Sequence, residues 1–222
     1  MTELLLKIVA SYLIGSLIGS LIIGRLRGGV DIRTLGSGNA GGTNALRTQG
    51  RGFALWVMLI DIGKGLVATR LIAPLPLSGV ELAGSAVAVG PVREWLPVAC
   101  GFAAIIGHVY PLWHGFRGGK GVATLVGVLL GIEPLLLLPV VLTWLLAAML
   151  LGFVGLASML AAAAVPLFVI VFELQPQAPL VAFGVAVALL VMYTHRANIA
   201  RMRAGTEPRA RRLWLFGRGH PR

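Results

Sequence analysis

The stretch "LGSGNAGGTNALRTQGRG", from Leu35 to Gly52, combines glycines, small polar residues and arginines and holds no acid. Glycine permits positive φ and close approach of the backbone to a ligand, and successive N–H groups in such a loop form a concavity for anions. Arg47 can grip a phosphate with two donors, and a helix that begins after the loop adds its N-terminal dipole. Gly36, Gly38, Gly41 and Gly42 let the backbone adopt positive φ and approach a ligand closely. The predicted ligands of this stretch are these four glycines with Ser37, Asn39, Thr43, Asn44 and Arg47.

A second stretch, "GHVYPLWHGFRGGKGVAT" from Gly107 to Thr124, carries Lys120 between glycines into the start of a helix. Lysine is a compact charge suited to a phosphate, so we expect Gly118, Gly119 and Lys120 to bind one. The alternative for Lys120 is an interfacial lysine that snorkels to water. His108 is a possible catalytic group, but the interpretation we favour is a hydrogen-bonding residue that positions the loop.

A third polar stretch, "YTHRANIARMRAGTE" from Tyr193 to Glu207, follows the last apolar run. His195 and Asn198 share a helix face through their i, i+3 spacing, and both are candidate site residues. The alternative for His195 is an interfacial histidine. We expect Glu207 to pair with a neighbouring arginine and to be structural.

Three polar residues stand inside apolar runs. Asp61 and Lys64 are three residues apart, and because charges within a membrane are costly we expect them to pair and to face the protein interior. Lys64 could instead reach the substrate. Ser158 is either a hydroxyl that helps two helices pack or a substrate ligand.

The composition indicates an integral membrane protein. The chain has 222 residues, of which 57% are hydrophobic, with a mean hydropathy of +0.89 and a net charge of +11. The cations cluster in loops and at the C-terminus, as expected for a membrane protein that faces anionic lipid or an anionic substrate, and a nucleic-acid partner is not expected.

The apolar runs predict an all-α fold with about seven transmembrane helices in one domain, residues 1–222. The predicted spans are 4–24, 53–73, 95–113, 121–133, 135–152, 156–173 and 178–195. The fourth is short, between Gly131 and Pro134. Segment 76–94 is predicted to be an interfacial loop or a short helix. The N-terminus is predicted to be an uncleaved first span.

The charge distribution predicts the orientation. With the N-terminus outside, segments 25–52, 114–120 and 196–222 lie inside, and they carry most of the arginines. The positive-inside rule therefore favours a cytoplasmic C-terminus. The same arrangement places all three polar stretches at the cytoplasmic face.

Several signatures are missing from the sequence. There is no histidine followed by aspartate after four intervening residues, no G-x-S-x-G elbow and no Cys/His metal spacing. We therefore expect no metal and no cofactor.

The three stretches resemble the motifs of the bacterial membrane glycerol-3-phosphate acyltransferases that use acyl phosphate as donor, the PlsY family. The matching segments, in order and spacing, are "GSGNAGGTNALR", "GHVYPLWHGFRGGKGVAT" and "HRANIARMRAGTE". Gly155 stands where the family often has a serine, which leaves Ser158 as the hydroxyl of that region.

The resemblance implies transfer of an acyl group from acyl phosphate to the 1-hydroxyl of sn-glycerol 3-phosphate, giving lysophosphatidic acid and phosphate, the first acylation of phospholipid synthesis. It implies catalytic roles for Ser37, Arg47, Lys120, His195 and Asn198. Either a substrate phosphate oxygen or His195 would accept the proton. The implied partners are acyl phosphate, glycerol 3-phosphate, membrane lipid and an enzyme that produces acyl phosphate. The implied location is the bacterial inner membrane.

Two other function classes are open. A small transporter for a phosphorylated solute would place polar residues through the depth of the helix bundle, whereas here they gather at one interface apart from Asp61 and Lys64. A regulatory protein whose loops bind anionic lipid would need only arginines, and the ordered glycine, serine and asparagine spacing would have no purpose.

Overall fold

The computed structural model describes residues 2–76, 91–210 and 213–217. Within these ranges the chain forms α-helices joined by loops and short 3-10 turns, with no β-strand. The helices are α1 Thr2–Gly15, α2 Gly19–Leu26, α3 Gly42–Gln49, α4 Arg51–Val67, α5 Pro91–Val109, α6 Val122–Ile132, α7 Leu137–Leu151, α8 Val154–Val171, α9 Gln177–Thr194 and α10 Arg196–Arg203.

The described helices include five that are long and apolar enough to cross a membrane. They are Arg51–Ile72, Arg93–His114, Pro134–Leu151, Val154–Val171 and Gln177–Thr194. Helices α1 and α2 pass the same test only together, and they are bent by 46° at the break between them. Helix α6 has 11 residues, about 16 Å of helix, or roughly half the hydrocarbon thickness of a bilayer.

The all-helical membrane fold is thus confirmed, with five or six full-length spans. The first predicted span corresponds to the bent pair, and the predicted short fourth span corresponds to α6. A count of seven spans and the inside–outside orientation stay predictions. Most of segment 76–94 lies outside the described residues, although α5 begins within it, at Pro91.

The described residues divide into two compact units, Met1–Glu133 and Pro134–Arg222. In the first unit, α1 packs on α5 and α4 packs on α6. Glycines make both contacts close. Between α1 and α5, a Cβ at Gly15 or Gly107 would meet the backbone of the facing helix. Between α4 and α6, the same holds for Gly65 and Gly127. Small residues at such crossings let membrane helices approach closely.

In the second unit, α8 packs against both α7 and α9. The turn between α7 and α8 is held by the C-terminal tail, since the Ala210 N–H donates to the Gly152 oxygen at 2.8 Å. The guanidinium of Arg209 lies over the rings of Trp214 and Phe153, at 4.0 and 4.9 Å from their centroids. The prediction of a single domain over residues 1–222 stays a prediction.

Candidate active site

The first loop, residues 28–41, joins α2 to α3. Gly36 and Gly38 have φ of +56° and +70°, a conformation that glycine permits. Gly41 has φ −96°, and Gly42 is the first residue of α3. A Cβ at Gly42 would lie 2.5 Å from the Met58 sulfur, so a larger residue there would require the Met58 side chain to move.

Asn44 holds the first loop together from inside. Its side chain is 1% exposed, and Nδ2 donates to the backbone oxygens of Ile32, Leu35 and Asn39 at 2.9, 3.0 and 3.0 Å. Its Oδ1 accepts from the Ser37 N–H at 2.9 Å. The side chain that was predicted to bind a ligand therefore organises the loop, and it presents the exposed Ser37 at the loop surface.

Helix α3 presents its predicted ligands on its other side. Thr43 and Arg47 are both exposed, and their i, i+4 spacing places them on one face of the helix. The first N–H groups of α3 have no acceptor within the helix. This end of the helix follows directly on the loop, so a phosphate there would meet amide donors, a hydroxyl and a guanidinium together.

The second loop, residues 115–121, joins the end of α5 to α6. The Gly118 and Gly119 N–H groups donate to the backbone oxygens of Val109 and His108 at 3.2 and 3.0 Å. These two predicted ligands thus use their amides to attach the loop to α5. Gly121 has φ +86° and lets the chain turn from Lys120 into α6.

Arg33 joins the first loop to the second. Its Nη1 donates to the backbone oxygens of His114 and Arg117 at 3.1 and 3.0 Å. Its Nε and Nη2 donate to both carboxylate oxygens of Asp31, with distances from 2.7 to 3.1 Å. These hydrogen bonds from Arg33 hold the pKa of Asp31 below its usual value.

Sequence reasoning missed this clamp of Asp31 and Arg33. A signal was present, because Asp31 is an acid that directly precedes an otherwise basic loop and lies two residues from an arginine. Nothing local, however, indicates that Arg33 reaches backbone oxygens more than 80 residues away.

Asp61 and Lys64 form the predicted pair. The distance from Lys64 Nζ to Asp61 Oδ1 is 3.0 Å. Lys64 is 4% exposed and Asp61 is 0% exposed. His108 is also buried, with Nδ1 at 2.7 Å from Lys64 Nζ. Its backbone oxygen also accepts the Gly119 N–H, so His108 contacts the loop that it was expected to position, and that role stays a prediction.

The third stretch belongs to the second unit. His195 lies between α9 and α10, and its Nδ1 is 2.8 Å from the Val191 oxygen. A carbonyl only accepts, so Nδ1 carries a proton and donates it to Val191. Asn198 Nδ2 donates to Glu207 Oε1 and Arg201 Nε to Glu207 Oε2, both at 2.6 Å. Glu207 thus pairs with a neighbouring arginine, as expected, and its structural role stays a prediction.

Ser158 links two helices of the second unit. Its hydroxyl donates to the Val154 oxygen at 2.9 Å and accepts from Trp144 Nε1 at 3.2 Å. Its predicted role in packing α7 against α8 is thus observed. Gly155, one turn earlier, lies close to Asn198, because a Cβ there would come 3.0 to 3.1 Å from its side-chain atoms.

A groove of about 350 Å³ lies beside the break between α1 and α2. It is lined mainly by apolar side chains with one arginine and one histidine, namely Leu17, Leu21, Ile22, Arg25, Trp113 and His114. Its lining is almost entirely apolar, with Arg25 among the residues around it, which suits a hydrocarbon chain. Within the described ranges, no group of three or more His, Cys, Asp or Glu residues lies close enough together to hold a metal ion.

Comparison with known proteins gives one family. A family model for glycerol-3-phosphate acyltransferase matches residues 5–205. The glycerol-3-phosphate acyltransferase of Chlorobaculum tepidum is 42% identical over 94% of this chain and 97% of its own length. The enzyme of the same name from Paramagnetospirillum magneticum is 43% identical over 94% of each chain.

Two crystal structures of PlsY, an integral membrane glycerol 3-phosphate acyltransferase, have the same fold. The glycerol 3-phosphate form matches with a TM-score of 0.78 and 32% identity, and the lysophosphatidic acid form with 0.76 and 31%. Each match covers 93% of this chain and 94% of the other. The resemblance seen in the three motifs is thereby confirmed, and the chain belongs to the glycerol-3-phosphate acyltransferase family.

Proposed function

We propose that the protein transfers an acyl group from acyl phosphate to the 1-hydroxyl of sn-glycerol 3-phosphate, giving 1-acylglycerol 3-phosphate and phosphate. The observation that carries the proposal is the clamp of Arg33, which fastens two glycine-containing loops to each other. The first of them leads into the helix that carries Arg47, and the second carries Lys120. Both substrates of this reaction carry a phosphate, so the enzyme needs two neighbouring anion sites. The family membership supports the acyl acceptor, and the paired loops support a donor with a phosphate head.

Each polar stretch receives a role. The residues that bind glycerol 3-phosphate and hold its hydroxyl near the acyl carbonyl are Ser37, Arg47, Lys120, His195 and Asn198. The residues that bind the acyl-phosphate head are Asn39, Gly41, Gly42 and Thr43. Asn44 acts through the loop that it holds, and the tail of the donor lies in the apolar groove beside Leu21.

The reaction needs no covalent enzyme intermediate, because an acyl phosphate is already activated. The acceptor hydroxyl oxygen forms a bond to the acyl carbon, and the bond from that carbon to the phosphate oxygen breaks, with its electron pair leaving on the phosphate. The hydroxyl proton passes to a substrate phosphate oxygen or to His195 Nε2. The protein contributes positioning and stabilises the charge on the carbonyl oxygen and the departing phosphate.

The positive-inside rule supports a cytoplasmic active site in the inner membrane of a bacterium. Glycerol 3-phosphate would then enter from the cytoplasm, and the donor would arrive along the membrane from an enzyme that produces acyl phosphate. Membrane lipid is both the solvent of the helices and the destination of the product.

An acyl-transfer assay on the purified protein tests the proposal. Labelled glycerol 3-phosphate is supplied with palmitoyl phosphate, and separately with acyl-CoA and with acyl carrier protein thioester, and Arg47→Ala and Lys120→Ala are assayed beside the parent. We expect lysophosphatidic acid from acyl phosphate alone, with the product lost in both variants. Product formed only from a thioester would overturn the assignment of acyl phosphate as the acyl donor. A folded protein in lipid that gives no product with any donor would overturn the activity and favour solute transport.

A further inference from the structure

Asp61, Lys64 and His108, here called the buried charge group, lie inside the first unit. They are 0%, 4% and 2% exposed. Burying charged groups away from water is costly unless they are paired and hydrogen-bonded. A membrane protein that places three ionisable side chains together at such cost uses them for something specific.

Lys64 uses all of its donors within the protein. An ammonium group has three N–H donors and no acceptor. Lys64 Nζ lies 2.8 Å from the Leu17 oxygen, 2.7 Å from His108 Nδ1 and 3.0 Å from Asp61 Oδ1. His108 Nδ1 also lies 3.4 Å from Asp61 Oδ1, so the three side chains contact one another. Lys64 therefore holds its surroundings in place and is not directed at a substrate.

One side of the buried charge group holds the break in the first span. Helix α1 ends at Gly15 and α2 begins at Gly19, so the break leaves backbone groups without helical partners. The Leu17 oxygen accepts from Lys64, and the Gly19 N–H donates to Asp61 Oδ1 at 3.2 Å. An acid and a base thus cap both sides of the break, as irregular backbone at membrane depth requires.

The other side supports the second loop. The His108 backbone oxygen accepts the Gly119 N–H at 3.0 Å. A Cβ at Gly119 would run into the His108 ring at Nε2, and one at Gly118 would run into the His108 carbonyl oxygen. The loop therefore lies directly on His108, and Lys120 is the next residue along the chain.

We propose that Asp61, Lys64 and His108 are positioning residues that set the place of Lys120 relative to the break between α1 and α2. The contacts run without interruption from Leu17 through Lys64 and His108 to Gly119. The same three side chains thus hold both the break and the second loop, which carries Lys120. The break itself lines the apolar groove at Leu17. The inference rests on the proposed function, in which Lys120 binds glycerol 3-phosphate.

Lys64→Met tests the proposal against a matched control, Lys7→Met. Lys7 is also buried, at 5% exposure, donates to a backbone oxygen (Ala73, 2.9 Å) and pairs with an acid (Glu3, 2.6 Å). The Lys7 contacts lie away from the second loop. Both variants should lower the Tm, whereas only Lys64→Met should raise the KM for glycerol 3-phosphate, by about tenfold or more. Equal KM values in the two variants would overturn the proposal.

His108→Asn supplies a second test that leaves the pair of Asp61 and Lys64 intact. The amide oxygen can still accept from Lys64, but the ring that supports Gly119 is lost. We expect His108→Asn to raise the Kd for labelled glycerol 3-phosphate, measured by equilibrium binding because Lys120→Ala makes no product, by about tenfold in the parent and by less than about twofold in Lys120→Ala. A purely structural role predicts the same factor in both backgrounds, which would overturn the inference. A parent protein that makes no product with any donor would instead overturn the proposed function.

Discussion

The guanidinium of Arg33 and the backbone oxygen of Arg117 are joined by a 3.0 Å hydrogen bond, which ties the first loop to the second. The same guanidinium also donates to the His114 oxygen and to both oxygens of Asp31. Its planar arrangement of five donors matches this set of acceptors, and an ammonium group cannot reproduce it.

We therefore expect Arg33→Lys to lower kcat/KM by about 10- to 100-fold although the charge is kept, because the loops lose their common fastening. Arg27→Lys is the control, since Arg27 is an exposed arginine just beyond the end of α2. Steady-state kinetics with both substrates measure the effect. Equal activity in the two variants would show that the clamp is dispensable.

Asn44→Asp tests the internal organiser of the first loop. The carboxylate can still accept from the Ser37 N–H. Its second oxygen, however, replaces the amide group that donates to the backbone oxygens of Ile32, Leu35 and Asn39. We expect a loss of about 100-fold or more in kcat/KM, because buried acceptors then face one another.

Gln49→Glu is the matched control for Asn44→Asp, because it adds the same charge near the end of the same helix. Its activity should stay within about twofold of the parent, because Gln49 is only half-buried and is the last residue of α3, at the end of the helix away from the first loop. If both variants lose activity equally, added charge on α3 and not the lost amide is responsible.

We expect the contribution of the Asp31–Arg33 pair to stability to change only at acidic pH. Because the Asp31 pKa is lowered from its usual 3.8, its contribution to stability is present above that value and is lost as the pH falls through the folded-state pKa. We expect Asp31→Asn to have a lower Tm than the parent at neutral pH. This difference should shrink toward about pH 3. Thermal unfolding in detergent at both pH values measures it, and a difference that grows in acid would contradict the assignment.

Glu207→Gln tests the organisation of the third stretch. The variant keeps an acceptor for Asn198 but removes the charge that pairs with Arg201. We expect a loss of about 1–3 kcal/mol in the free energy of unfolding. We also expect a higher KM for glycerol 3-phosphate, because a side chain that Arg201 no longer holds fixes Asn198 less firmly. Glu173→Gln, at an exposed acid of the same unit, should change neither. A stable variant with an unchanged KM would remove Glu207 from the site.

Much of this structure could be predicted from the sequence because its signals are local. Runs of apolar residues indicate the spans, positive φ at Gly36 and Gly38 follows from residue type, and the pairing of Asp61 with Lys64 follows from helical spacing and the cost of charge in a membrane.

The remaining features depend on contacts between distant segments. The sequence showed Asn44 as one polar residue among several, and only the folded loop brings three backbone oxygens to its amide. The break in the first span was also missed, because residues 16–18 are as compatible with a helix as their neighbours. Its stabilising partners, Asp61 and Lys64, lie more than 40 residues away.

The spacing of the Asn44 hydrogen bonds has a consequence for how the loops come together during synthesis. All of its partners lie within the 12 preceding residues, so the first loop can close as soon as Asn44 has left the ribosome. The Arg33 clamp spans 84 residues and must wait until Arg117 has been made and the intervening helices have been inserted. The first loop therefore closes through contacts within its own segment, whereas its attachment to the second loop forms late, after membrane insertion.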